Sequence, residues 1–131
     1  MLPILLLGGA LFVTQMTATA LWADEGWTIA DTDEAHPVAV VTEWVAEDVH
    51  PPLFFMALSV FRVFIGDTIV ELRLFSVFLS LIGVAVAYRA GLALFGARAG
   101  VLAGLFYALH DLIRALTHEV RHYPGQILLS T

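Results

Sequence analysis

Residues 69–95 read IVELRLFSVFLSLIGVAVAYRAGLALF. They contain a charge-free run, Leu74–Tyr88, that continues through Arg89 to Phe95. A spanning α-helix needs roughly 20 mostly apolar residues. With Arg73 near one end and Arg89 near the other, this stretch predicts a membrane helix over 69–95, and the rest of the chain is read outward from it.

The composition agrees. Of 131 residues, 60% are hydrophobic and 14% charged, where a soluble domain carries about 25% charged residues. All six cations are arginine, and the absence of cysteine excludes disulfides. A net charge of −6 lacks the basic face that a nucleic-acid partner requires. Ten of the twelve acids lie between Asp24 and Glu71, so the polar part of the chain is one loop.

On the N-terminal side, Met1–Ala23 carries no charged side chain. It predicts a first span over 1–22, with the helix from about Leu2 to Leu21. Ala18-Thr19-Ala20 also fits a small-residue signal cleavage site, but no basic segment precedes the apolar run, which favours a retained anchor. Both readings leave the loop 23–68 outside the cytoplasm. Pro37 suits the first turn of a short helix, with Val38, Val41 and Val45 on one face and Trp44 beside them. Such a helix lies on the membrane interface or is an ordinary amphipathic loop helix. Pro51-Pro52 blocks continuation and starts a helix over about 52–65, too short to span, which Gly66-Asp67-Thr68 ends.

On the C-terminal side, Gly96-Ala97-Arg98-Ala99-Gly100 reads as a tight turn. Arg89 and Arg98 flank it, as in a cytoplasmic loop. A third span follows over 99–117. Residues 118–131 then return outside, and a fresh apolar run begins at Ile127. The expected fold is an all-α integral membrane protein with about three transmembrane helices plus extracytoplasmic interfacial helices. It reads as the N-terminal part of a larger multi-span fold.

This topology brings Asp24-Glu25, Asp48 to Pro52, Arg73 and His118 to Pro124 to one side. Asp24 or Glu25 suits a general base that draws a proton from an acceptor hydroxyl; acids are also common at solvated helix ends. The helix starting at Pro52 directs free N–H groups and a positive dipole end at the loop, which suits a phosphate. His50 is placed to donate to that phosphate. Arg73 and Arg121 are phosphate-clamp candidates, because guanidinium forks match phosphate oxygens. His118-Glu119-Val120-Arg121-His122 is formally a zinc-protease motif. Arg121 inside it and Pro124 just beyond it speak against a metalloprotease helix, so no metal ligand is assigned. The same residues also read as Glu119-x-Arg121-x-Tyr123, with the acid and aromatic one helical turn apart. Trp22, Trp27 and Trp44 read as an aromatic belt.

Together these residues resemble C-type membrane glycosyltransferases, the group that includes protein O-mannosyltransferases and bacterial polyprenyl-phosphate-dependent sugar transferases. Leu21-Trp22-Ala23-Asp24-Glu25 resembles the acidic motif after the first span. Asp48-Val49-His50-Pro51-Pro52-Leu53 is similar to an Asp-x-His-Pro-Pro loop. Leu72-Arg73-Leu74-Phe75-Ser76 and Glu119-Val120-Arg121-His122-Tyr123 resemble a Leu-Arg-Leu-Pro/Phe-Ser and a Glu-Ala-Arg-x-Tyr segment. The resemblance implies inverting transfer of a sugar from a polyprenyl-phosphate donor to a protein, lipid or glycan acceptor, on the extracytoplasmic face of the cell membrane. Asp24 would be the base and Glu25 its support. His50, Arg73 and Arg121 would lie near the donor phosphate, with Asp48, Glu119 and Tyr123 in the same cavity. Some members of the group carry a divalent metal, so the resemblance leaves a metal cofactor open. Two departures stand out: His110-Asp111 replaces a common Ser-Pro, and His118 precedes the Glu. Members are several times longer, so a 131-residue piece is not expected to be active alone. A small non-catalytic membrane protein is the alternative.

Overall fold

The computed structural model describes residues 1–14, 16–17, 20–33, 37–40, 42 and 52–130, with the side chains of 129 and 130 left aside. The described residues form helices only: α1 (Leu2–Val13), α2 (Ala23–Asp31), α3 (Pro37–Ala39), α4 (Pro52–Ile65), α5 (Ile69–Phe95), α6 (Ala97–Leu109), α7 (Asp111–Thr117) and α8 (Tyr123–Ser130).

The 27-residue α5 has the bounds the sequence predicts. At 1.5 Å per residue it is about 40 Å long, enough to cross a bilayer core. A reciprocal cap starts it. The Glu71 carboxylate accepts from the Thr68 N–H at 2.9 Å, and the Thr68 hydroxyl accepts from the Glu71 N–H at 3.3 Å. Gly96, at φ 87°, ends it and reverses the chain into α6. In the resulting hairpin the backbones nearly touch. A Cβ on Gly100 would lie 2.8 Å from the Tyr88 carbonyl oxygen, and one on Gly91 would lie 2.9 Å from that of Ala99. Small residues allow this approach, as is usual between helices in lipid.

Two predicted spans are not single helices. The first ends at Val13, not Leu21, and its 12 residues reach only about 18 Å. Beyond it, the carbonyls of Met16 and Ala20 turn to accept from the Arg73 guanidinium, which a continued helical ladder would not permit. The third is broken at His110, whose extended backbone (φ −68°, ψ 120°) sets α6 and α7 at 56°. Among the described residues, α5 alone is long and apolar enough to cross a membrane as one helix, and the bent α6–α7 pair is long enough together. The helix over Pro52–Ile65 forms as expected. Val38, on the face expected to be apolar, is 58% exposed, and Val40 is buried. Val41, Trp44 and Val45 lie outside the described residues.

Two apolar clusters border α5. Ile4, Phe12 and Met16 pack with Val77, Val84, Tyr107 and Ala108 in one. Phe54, Phe55 and Leu58 pack with Val40, Leu72 and Val120 in the other. Arg73, Ser76 and Ser80 are also buried on α5, spaced three and four residues apart and so on one face. That polar stripe positions the site.

Candidate active site

Asp24 and Glu25 lie in the first turn of α2. Consecutive helical residues are rotated by about 100°, so adjacent carboxylates diverge. The Glu25 residue is 1% exposed, whereas the Asp24 side chain is 49% exposed.

Glu25 meets Arg73 side-on: Nε donates to Oε1 at 3.0 Å and Nη2 to Oε2 at 2.8 Å. The Val120 N–H donates to Oε1 at 2.9 Å and the Trp22 N–H to Oε2 at 3.2 Å. Burial alone would raise the Glu25 pKa. The hydrogen bonds from Arg73, Val120 and Trp22, with the Arg73 charge, outweigh burial and hold it below the ordinary value. Arg73 is itself buried, with its fork turned onto Glu25 and the carbonyls of Met16 and Ala20. Lower on the same stripe, the Ser76 hydroxyl donates to the Glu119 carbonyl at 2.6 Å. Thr117 donates to the Ile113 carbonyl, so Ser80 is the donor in the 2.6 Å contact between the two hydroxyls. These bonds fix the turn 118–122 against α5 and α2.

That turn brings Arg121 to Asp24. Nη2 lies 3.3 Å from Asp24 Oδ2, and Nη1 lies 3.3 Å from both the Asp24 carbonyl and the Thr28 hydroxyl. The Arg121 side chain is 9% exposed, and its Nε has no hydrogen-bond partner among the described residues. Tyr123 covers one face of the guanidinium, 5.6 Å from Cζ to ring centroid. Glu119 is half-buried beside these charges. Burial raises its pKa, Glu25 and Asp24 add to the rise, and Arg121 and Arg73 oppose it.

The segment 118–122 is not helical, because α7 ends at Thr117 and α8 begins at Tyr123. His118 and His122 therefore do not share a helical face, and the spacing a zinc protease needs is lost. The expected one-turn relation of Glu119 to Tyr123 fails for the same reason. His118 Nε2 donates to the Phe12 carbonyl at 3.0 Å. Burial lowers its pKa, against this bond and with the charges of Arg114 and Arg73. His122 is buried between Phe54 and Tyr123. It also faces an apolar cavity of about 350 Å³ lined by Phe54, Phe75, Leu79 and Leu128. Among the described residues no three metal-ligating side chains converge. Asp48 and His50 lie outside the described residues.

Sequence reasoning missed Thr28, Ser76 and the Val120 N–H as site supports. It also missed Arg62. This buried arginine of α4 binds Asp33 at 2.7 Å, Asp67 at 2.8 Å and the Ile29 carbonyl at 2.8 Å, tying α4 to the end of α2. A lone arginine in an otherwise apolar helix was the available signal.

The sequence profile of the dolichyl-phosphate-mannose-protein mannosyltransferase family matches residues 49–129. The chain belongs to that family. This bears out the resemblance read from the motifs. Neither the curated proteins nor the solved structures contain a match to it. The family range covers α4 to α8, and so Arg73, Glu119 and Arg121. Asp24 and Glu25 precede it, on α2. The mannosyltransferase family and the span α5 together make this a membrane protein of glycosyltransferase type.

Proposed function

We propose that this chain carries the acceptor base and part of the donor site of a glycosyltransferase that moves a sugar from polyprenyl phosphate to an extracytoplasmic acceptor. The observation that carries this reading is the Asp24–Arg121 pair. A half-exposed carboxylate on α2 meets a buried guanidinium on the family-matched segment. Asp24 takes the proton of an acceptor hydroxyl as that oxygen bonds to the anomeric carbon. The carbon–oxygen bond to phosphate breaks, polyprenyl phosphate leaves, and the anomeric centre inverts. Arg121 faces the phosphate, with His50 as a further donor and Asp48, Glu119 and Tyr123 around the same cavity. Glu25 and Arg73 support the site from beneath, holding α2, α5 and the 118–122 turn in register. The apolar cavity beside His122 suits a lipid chain. The acceptor is a protein, lipid or glycan hydroxyl, and the site faces outward from the cell membrane.

The test is sugar transfer from polyprenyl-phosphate sugar by the intact protein in membranes, wild type against Asp24→Asn. General-base removal lowers the rate by about 10²–10⁴-fold. Undiminished transfer by the variant would remove Asp24 as the base.

A further inference from the structure

Arg73 and Arg121 present the same side-on edge, Nε with Nη2, to a carboxylate, and they fill it differently. In Arg73 both positions are taken by the two oxygens of Glu25, at 3.0 and 2.8 Å. In Arg121, among the described residues, only Nη2 of this edge is engaged, by Asp24 Oδ2 at 3.3 Å, and the buried Nε has no partner. A buried donor left unsatisfied costs about 1–3 kcal/mol. The edge is therefore half-filled: it holds one oxygen at long range and its second donor is unused. A phosphate has the oxygen spacing to take both positions at once. It would then occupy Nη2, the position that now holds Asp24.

We infer that Arg121 exchanges partners: donor phosphate takes its Nε–Nη2 edge and releases the Asp24 carboxylate, so the acceptor base is unmasked only when donor is in place. This rests on the proposed function and adds an order to it. Without donor, Asp24 is tied to Arg121 and is poorly placed to receive a hydroxyl proton. With donor, Arg121 serves the leaving phosphate and Asp24 faces the acceptor. Donor binds before productive acceptor, and the Asp24 charge opposes donor binding by competing for the guanidinium.

The experiment measures binding of polyprenyl phosphate without sugar to the intact protein in nanodiscs. Wild type, Asp24→Asn and Asp24→Glu are compared. Removing the competing charge should tighten binding about three- to tenfold in Asp24→Asn, and Asp24→Glu, which keeps the charge, should not tighten it. A second measurement needs no variant: carbodiimide labelling of Asp24 in the wild-type protein, read by mass spectrometry, should rise when polyprenyl phosphate is added. Unchanged or weaker binding by folded Asp24→Asn, or labelling that falls or stays constant with ligand, overturns the exchange while leaving the donor site standing. No binding of polyprenyl phosphate to the wild-type protein overturns the donor reading itself, and the exchange with it.

Discussion

At the scale of the residue, Glu25 accepts four hydrogen bonds on two oxygens, from Arg73 twice and from the Val120 and Trp22 N–H groups. Removing one partner of a buried ion pair leaves an uncompensated charge, at a cost of about 3–5 kcal/mol. Glu25→Gln and Arg73→Met should each lower stability by that order in detergent unfolding. The double variant should be less damaged than the sum of the two. The Glu25 pKa is depressed, so its contribution is present above the ordinary glutamate range and is lost as pH falls through the folded value. Unfolding scans of wild type should therefore show a loss of stability in acid that the double variant lacks. Both acids were visible in the sequence, and the resemblance assigned their roles, but the contacts that separate them were not. They depend on the 100° between neighbours on a helix, and no sequence cue said which side of α2 faces Arg73.

At the scale of the element, α4 and α5 were legible to the residue, because Pro52, the Thr68–Glu71 cap and Gly96 mark their ends chemically. The breaks at Val13 and His110 were not. Apolar composition runs straight through the first, where the carbonyls of Met16 and Ala20 turn to Arg73, and the second falls at His110-Asp111, which carries no proline or glycine to mark it. The α5–α6 hairpin was expected as a turn, but its closeness was hidden, since glycines in a membrane helix look alike in sequence. They can be told apart by substitution. A Cβ at Gly100 meets backbone at 2.8 Å, whereas one at Gly26 meets nothing within 4 Å. Gly100→Ala should force α5 and α6 apart and lower the unfolding temperature. Gly26→Ala, in the interior of α2, should be neutral or stabilise by up to about 1 kcal/mol.

At the scale of the molecule, Arg73 and Arg89 lie on one helix, about 24 Å apart along its axis. The acidic cluster gathers at the Arg73 end, and Arg98 follows the other end across Gly96. The proposed orientation puts the Arg98 end on the cytoplasmic side, by the positive-inside tendency. The native chain has no cysteine, so single cysteines report cleanly. In intact cells, Trp27→Cys should react with an impermeant maleimide and Arg98→Cys should not, with the pattern completed on permeabilisation. Labelling of both from outside would mean that α5 does not cross the membrane. The proposed orientation rests on two arginines, Arg89 and Arg98, and one long helix. Asp24 and Arg121 were expected on one side, but their contact did not follow from sequence, because it depends on a non-helical turn whose residues also spell a helical zinc motif.

The Glu25–Arg73 pair also limits how this sequence can drift. Either residue can be replaced only by passing through a protein with a lone charge in its interior, so single substitutions at these two positions lead downhill in fitness. Lineages that change one must acquire the other almost together, or lose the packing of α2 and the 118–122 turn on α5. Asp24 and Arg121, half-open to solvent on the acid's side, are constrained by the chemistry proposed for them. The outer pair is held by function, and the inner pair by the frame it supports.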